Sequence, residues 1–301
     1  MSKAERLVNV VLTKIATGYK NAACIGTKLF PVVPVEKEGN IIPKFGKDAF
    51  RLYKTLRAPG GSTNLYKLED VTTQDVVLQE HDFGVPVDYR TKKESMFNEE
   101  RRAVFTGRKA IELELEVEIA NIAQNASNYS ASNKKALTTT ACWDQTNGNP
   151  IGDIEAAKEA IRTAIGIRPN TMIIGAEAWS VLKNHASIME KIKYVQKGVA
   201  TPELVASIFD LDEVVVGDAV YDNKGTMTDI WKDNVILAYV PKQAESYDEP
   251  AAGYVLRMEG HPFVDTYEAE GGKVEIVRTT DNYKAALVGA DAMYLISNIK
   301  K

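Results

Sequence analysis

The chain has 301 residues, of which 45% are hydrophobic and 26% charged, and a formal net charge of −4. These proportions suit a folded protein with one large core or two modest ones, and exclude a disordered or collagen-like chain. A balance this close to neutral names no nucleic-acid or membrane partner, and no window approaches the ~18 consecutive apolar residues of a membrane span.

Charge is unevenly placed. Residues 1–57 hold eleven Lys or Arg against four acids (11 − 4 = +7), so the other 244 residues total −11. A segment so biased suits an arm laid on an acidic surface, such as a neighbouring copy of the chain. Cys24 and Cys142 are too few for a disulfide scaffold and fit a reducing compartment, with one bridge between them left open by the sequence. No charged stretch followed by an apolar run opens the chain, so no signal peptide is expected and synthesis is expected in the cytoplasm.

In chain order, residues 1–34 mix basic residues with Leu7, Val8, Val10, Val11, Leu12 and Ile15. Pro31 and Pro34 then stop any helix. Ile41, Ile42 and Phe45 continue an extended arm. From about 46 to 90 the pattern is a long hairpin. One limb runs through Phe50, Leu52, Tyr53 and Leu56, a turn follows at Ala58-Pro59-Gly60-Gly61-Ser62, and the return limb runs from Val71 to Val87. Such a hairpin buries little by itself.

Residues 94–126 lack proline and are rich in Glu, Ala, Leu and Arg, which predicts a long helix. Within it Ile111, Leu113, Leu115, Val117 and Ile119 alternate with glutamates, a strand period. Helix is preferred because strong helix formers surround the run. Residues 127–150 form a Ser/Asn/Thr-rich turn cluster and boundary. Asp153 is expected to cap a helix whose Ile154, Ala157, Ile161, Ala164 and Ile165 share one face and which Gly166 ends.

A strand is expected at Thr171–Gly175. Helices follow at 176–184, 187–196 and 201–209, the last with Pro202 at its first position. Val214–Val216 and Val235–Val240 read as core strands, and residues 222–233 as a polar loop. Further strands are expected at Tyr254–Met258, Phe263–Tyr267 and Val274–Arg278, then an apolar stretch over Ala285–Ile296.

Catalytic grammar is missing. His81, His185 and His261 are isolated, and no phosphate-binding loop, dinucleotide fingerprint or nucleophile elbow occurs. The best carboxylate cluster, Asp210, Asp212, Glu213 and Asp218, lacks the ligand spacing of a calcium loop. Asn125 and Asn128 head glycosylation-type triplets without a secretion signal, and Tyr239, Tyr254 and Tyr267 read as packing residues. No catalytic residue, cofactor site or metal site is therefore expected.

Three stretches carry a resemblance. Lys109-Ala110-Ile111-Glu112-Leu113-Glu114-Leu115-Glu116 is the first. The second is Arg168–Gly175 with Ala178-Trp179 and Leu182–His185, and the third is Ile208–Gly217. With the order of elements they resemble the capsid fold shared by tailed-phage major capsid proteins and encapsulins.

The resemblance implies an α+β fold in five parts: an N-terminal arm at 1–45, an extended hairpin loop at 46–90, a spine helix and start of the peripheral domain at 91–135, an axial domain at 136–250 and return strands of the peripheral domain at 251–301. It implies a shell of hexamers and pentamers around double-stranded DNA, with scaffold, portal and decoration partners and no membrane. The protein would reside in the virion capsid, and in the host cytoplasm during assembly. Some members of the family carry a scaffolding or protease-cleaved segment of about a hundred residues before the arm; none is read here, so the sequence resembles a mature form or a system with a separate scaffold protein. Some family members crosslink a hairpin Lys to a neighbour's Asn; Lys54 and Lys67 lie in the hairpin without a basis for assigning one. Segments 1–45 and 46–90 are each expected to lie across adjacent subunits. Competing expectations are an encapsulin-type compartment shell and, remotely, a metal-dependent hydrolase using the acids at 210–218.

Overall fold

The computed structural model describes residues 12–13, 24–43, 55–57, 59, 62–63, 65, 73–96, 98–193, 200–242, 251–269 and 271–301. The arm contributes one helical turn, α1 (Gly26–Leu29), and two short strands, β1 (Val32–Val35) and β2 (Gly39–Pro43). Pro34 is tolerated because β1 is an edge strand. β3 (Thr73–Val77) pairs antiparallel with β2, and β4 (Gln79–Asp88) continues the same run into a sheet. The turn α2 (Tyr89–Glu94) then leads to the long helix α3 (Glu99–Ala123).

α3 has 25 residues and spans roughly 38 Å. It is shorter than the expected 94–126, because Asn98 opens a new helix: its side chain accepts the Arg101 N–H at 2.9 Å, and Glu99 and Glu100 sit in the first turn. The strand-like alternation is reconciled by packing. Ile111, Leu115 and Ile119, four apart, are buried, while Leu113 and Val117 line the flank of the same core. Gly107, the one glycine of the helix, allows close contact with the sheet, since a Cβ there would meet Thr279 Oγ1 at 2.8 Å.

After β5 (Lys134–Ala136) come α4 (Pro150–Ile165), β6 (Thr171–Gly175), α5 (Ala176–Asn184), α6 (Ala186–Ile192), α7 (Pro202–Phe209) and β7 (Glu213–Gly217). A small hairpin, β8 (Val220–Asn223) and β9 (Thr226–Asp229), precedes β10 (Val235–Ala238). The chain closes with β11 (Gly253–Met258), β12 (Phe263–Glu268), β13 (Val274–Leu287) and β14 (Met293–Ser297).

Among the described residues, β2–β3 and β8–β9 form two-stranded ribbons, and the other ten of the fourteen strands form two five-stranded sheets. In the first, the order is β1-β11-β13-β12, with β4 on the other edge of β13. In the second, the order is β5-β14-β10-β6-β7, with β6 and β7 parallel across the α5–α7 crossover. One face of the second sheet is covered by α4–α7 through Ile154, Ile161, Leu182 and Phe209. Its other face, with Ile173, Val215, Ile236 and Leu295, packs on α3, on Leu29 and Phe30 of the arm, and on Val255 and Tyr283 of the first sheet. The spine helix thus lies between the two sheets and belongs to both cores.

Several expectations change. Described residues 24–43 of the arm are part of their own subunit: Leu29 and Phe30 are fully buried, β1 pairs with β11, and Thr13 exchanges hydrogen bonds with the Val264 backbone. These apolar residues complete the chain's own core and do not wait for a neighbour. Asp153 is not the N-cap. Asn149 is, accepting the Gly152 N–H at 3.1 Å, with Pro150 at the first helical position. Asp153 is instead buried, taking Lys135 at 2.5 Å and the Trp143 indole N–H at 2.8 Å. The turn cluster at 127–150 contains β5, and the polar loop at 222–233 contains the β8–β9 hairpin turned by Lys224 and Gly225 at positive φ. β14 joins the second sheet, not the first, and Gly166 ends α4 in the left-handed region as expected. The expected hairpin limb at Phe50–Lys54 and the end of the 187–196 helix beyond 193 lie outside the described residues.

Gly175 joins β6 to α5, and a Cβ there would overlap the Lys232 carbonyl oxygen. Gly175→Ala is expected to destabilise the subunit by about 3 kcal/mol through backbone overpacking, read as a lower urea midpoint.

Candidate assembly surfaces

Two buried polar clusters fix how the parts of the subunit meet. The first is centred on Glu116 of α3, which is 2% exposed. Its carboxylate accepts the Ile25 N–H at 3.0 Å, the Gly26 N–H at 2.6 Å and the Trp231 indole N–H at 2.6 Å. It therefore ties the arm, the spine helix and the β9–β10 connection at one point. Burial pushes the Glu116 carboxyl above its ordinary value, and the three donors pull it partly back.

The second cluster joins α3 to the first sheet. Asp281 of β13, fully buried, lies between Arg108 Nη1 and Arg257 Nε, each at 3.2 Å, and Arg108 Nε is 3.1 Å from Glu112. Several of these are ion-pair contacts without aligned hydrogen bonds. Burial pushes the Arg257 guanidinium down, and Asp281 opposes that shift. His81 of β4 stacks on Tyr283 with ring centroids 4.2 Å apart, and its Nδ1 is 3.5 Å from Glu114.

The remaining candidates are dispersed. His185 accepts the Ser187 N–H at the start of α6, and His261 lies against the Phe263 ring. Asp210 sits in the left-handed cap of α7, Asp212 pairs with Lys242 at 2.9 Å, and Glu213 pairs with Lys28. Among the described residues no three His, Cys, Asp or Glu side chains gather as a metal site. Cys24 and Cys142 are not joined by a disulfide, so the bridge left open by the sequence is not formed. Tyr254 is buried, Tyr239 half-buried, and Tyr267 lies at the surface with Arg278 over its ring at 5.2 Å. Asn125 caps a short turn and Asn128 donates to Ile122 O. Lys54 and Lys67 lie outside the described residues.

Part of the exposed apolar surface of the described residues lies on the β2–β3 ribbon and its loop, with Met96 and Met227 exposed elsewhere. Ile41 and Val77 share the ribbon's outer face at 64% and 65% exposure, and Leu56 and Leu65 in the loop beyond reach 93% and 89%. At the ribbon's root is a groove of about 740 Å³, lined by Gln74–Val77, by Ile122, Asn128 and Ser130, and by Lys284–Asp291. Sequence reasoning missed both the groove and the Glu116 clasp. The single glutamate that turns inward looks like its neighbours in the alternating run.

The description "Phage major capsid protein E" fits residues 27–264 of this chain. The chain belongs to the phage major capsid protein E family. Within this family's reach, the major capsid protein of Burkholderia phage BcepMu is 50% identical over 299 residues, 98% of this chain and 97% of that protein. The crystal structure of a phage-related protein from Bordetella bronchiseptica RB50 has 33% identity and a TM-score of 0.83, covering 98% of each chain. An encapsulin complex from Synechococcus elongatus PCC 7942 has 12% identity and a TM-score of 0.52, over 93% of this chain and 88% of that one. The last is a likeness of fold alone. The tailed-phage capsid fold that the sequence resembles is the fold of this capsid protein.

Glu116→Ala would leave three buried donors without an acceptor and is expected to cost about 3 kcal/mol in urea unfolding. The pH dependence has a definite sign. Because the folded carboxyl value is raised, its contribution is full below the ordinary carboxylate range and is lost as pH climbs through the raised value. Glu116→Gln should remove that component from a plot of stability against pH.

Proposed function

We propose that this capsid protein builds an icosahedral phage head from hexamers and pentamers, enclosing double-stranded DNA. The observation that carries this is the contrast within one chain. The two-sheet body buries its core against the spine helix, while the ribbon and the loop beyond it hold Ile41, Leu56, Leu65 and Val77 out in solvent. Exposed apolar surface rimmed by polar residues marks an interaction site, and identical subunits satisfy such surfaces by heterologous contacts closed by symmetry. The hairpin at 46–90 is the segment that reaches adjacent subunits. Residues 24–43 serve the subunit itself.

In this reading residues 136–250 form the axial domain, with β5 and β14 completing its sheet, and the first sheet is the peripheral domain. Scaffold, portal and decoration proteins are its assembly partners, the host cytoplasm its site of assembly and the virion its destination. Among the described residues no helix is long and apolar enough to cross a membrane. The work of the protein is mechanical, not catalytic. Each histidine is engaged in a structural contact, and the acids at 210–218 are spread over a helix cap and ion pairs. Enclosure of a genome is favoured over an encapsulin's cargo by near-full-length likeness to a phage protein, at 50% identity against 12% for the encapsulin.

Electron microscopy of the purified protein should show round particles tens of nanometres across, and a stable monomer at high concentration would end the proposal. Deleting residues 58–68 should leave a subunit with unchanged helix content and abolish the particles. Normal shells from that deletion would remove the hairpin from the assembly mechanism.

A further inference from the structure

The loop that leads into α4 sets a side-chain amide beside an unhindered backbone nitrogen. Asn147 is the only asparagine in the sequence that a glycine follows. Asn147 is exposed, and its neighbour Gly148 is half-buried. Residues 145–148 form a tight turn: the Gly148 N–H donates to Gln145 O at 3.0 Å, and the Asn147 N–H donates to Thr140 O at 3.2 Å. Gly148 is also wedged against the chain. A Cβ at that position would lie 2.7 Å from both Cys142 O and the Trp143 Cα. Asn149 follows as the N-cap of α4, accepting the Gly152 N–H at 3.1 Å.

Glycine has no side chain to crowd attack by its own nitrogen, and it reaches backbone angles that other residues avoid. We propose that Asn147 is a modification site of this subunit, where the side-chain amide converts spontaneously to a carboxylate through a ring closed by the Gly148 nitrogen. The Gly148 nitrogen gives up its proton and bonds to Asn147 Cγ. The Cγ–Nδ2 bond breaks, and Nδ2 takes up a proton and leaves as ammonia. Water then opens the succinimide ring at either carbonyl. Opening at the side-chain carbonyl leaves an aspartate at position 147. Opening at the backbone carbonyl leaves an isoaspartate, with the chain routed through Cβ. Water is the only co-reactant.

The fold sets the pace. In the closed turn the Gly148 nitrogen is committed to Gln145 O, and the residue is packed on the backbone of Cys142 and Trp143. Ring closure therefore waits for the turn to open, and the rate is the intrinsic rate scaled by the open fraction. The two products differ in fit. The aspartate adds only an exposed charge ahead of a helix N-terminus, where negative charge is favoured. The isoaspartate lengthens the backbone where Gly148 has no room to move toward Trp143. It shifts Asn149 and loosens α4, whose Ile154, Ala157 and Ile161 cover the second sheet. On the shell reading above, subunits built into a particle are not replaced, so converted copies accumulate with its age. The chemistry itself does not depend on that reading.

The test is peptide mapping by mass spectrometry of the full-length wild-type protein, held at mildly alkaline pH either folded in buffer or unfolded in urea. In both, Asn147 should be the first asparagine to convert, giving a chromatographic pair of products of equal mass. Conversion should be slower in buffer than in urea on the order of tenfold or more, and hydrogen exchange at the Gly148 amide should be slowed by a similar factor. The urea midpoint of the wild type should fall as conversion proceeds. Asn147→Gln should give no such pair, keep the helix content of the wild type and hold its midpoint over the same incubation. Conversion that begins at another asparagine, or none at Asn147, overturns the assignment. Equal rates in buffer and urea overturn the control by the turn.

Discussion

The subunit depends on a helix that two sheets share. α3 presents Ile111, Leu115 and Ile119 to the core beneath the second sheet, and Ala103 and Val104 to the first. Neither sheet is closed without it. Glu116, in the middle of the apolar face, holds the arm's first turn and Trp231 to the same spot. A buried carboxylate costs desolvation, and only donors aimed from three separate parts of the chain offset that cost. The geometry of the junction is therefore specified by hydrogen bonds as well as by packing.

This arrangement separates rigid from available surface. The body spends its apolar residues internally, down to Leu29, Phe30 and Val33 of the arm. Among the described residues, Ile41 and Val77 of the β2–β3 ribbon and Leu56 and Leu65 of the loop beyond it stay exposed, as do Met96 and Met227 elsewhere on the surface.

The Asp281 cluster plays a second mechanical part. Arg108 of the helix and Arg257 of β11 meet on one carboxylate of β13, where β4 also begins its path toward the ribbon. Breaking one partner would strand buried charge, so the cluster holds helix and sheet together as one body.

The sequence by itself determined the elements with local causes. Composition overrode the Ile/Leu–Glu alternation to make α3 a helix, Gly166 stopped α4, Pro202 opened α7, and the apolar runs at Thr171–Gly175 and Val235–Ala238 became central strands. The tertiary structure alone decided which polar residue turns inward. Glu116 looks like the other glutamates of the alternating run and Asp153 reads as a helix cap, and only distant partners, Ile25, Gly26 and Trp231 for one and Lys135 and Trp143 for the other, offset the cost of burying them. It also decided that the arm at 24–43 covers its own core. Those outcomes rest on contacts between residues tens to hundreds of positions apart, which no local pattern encodes.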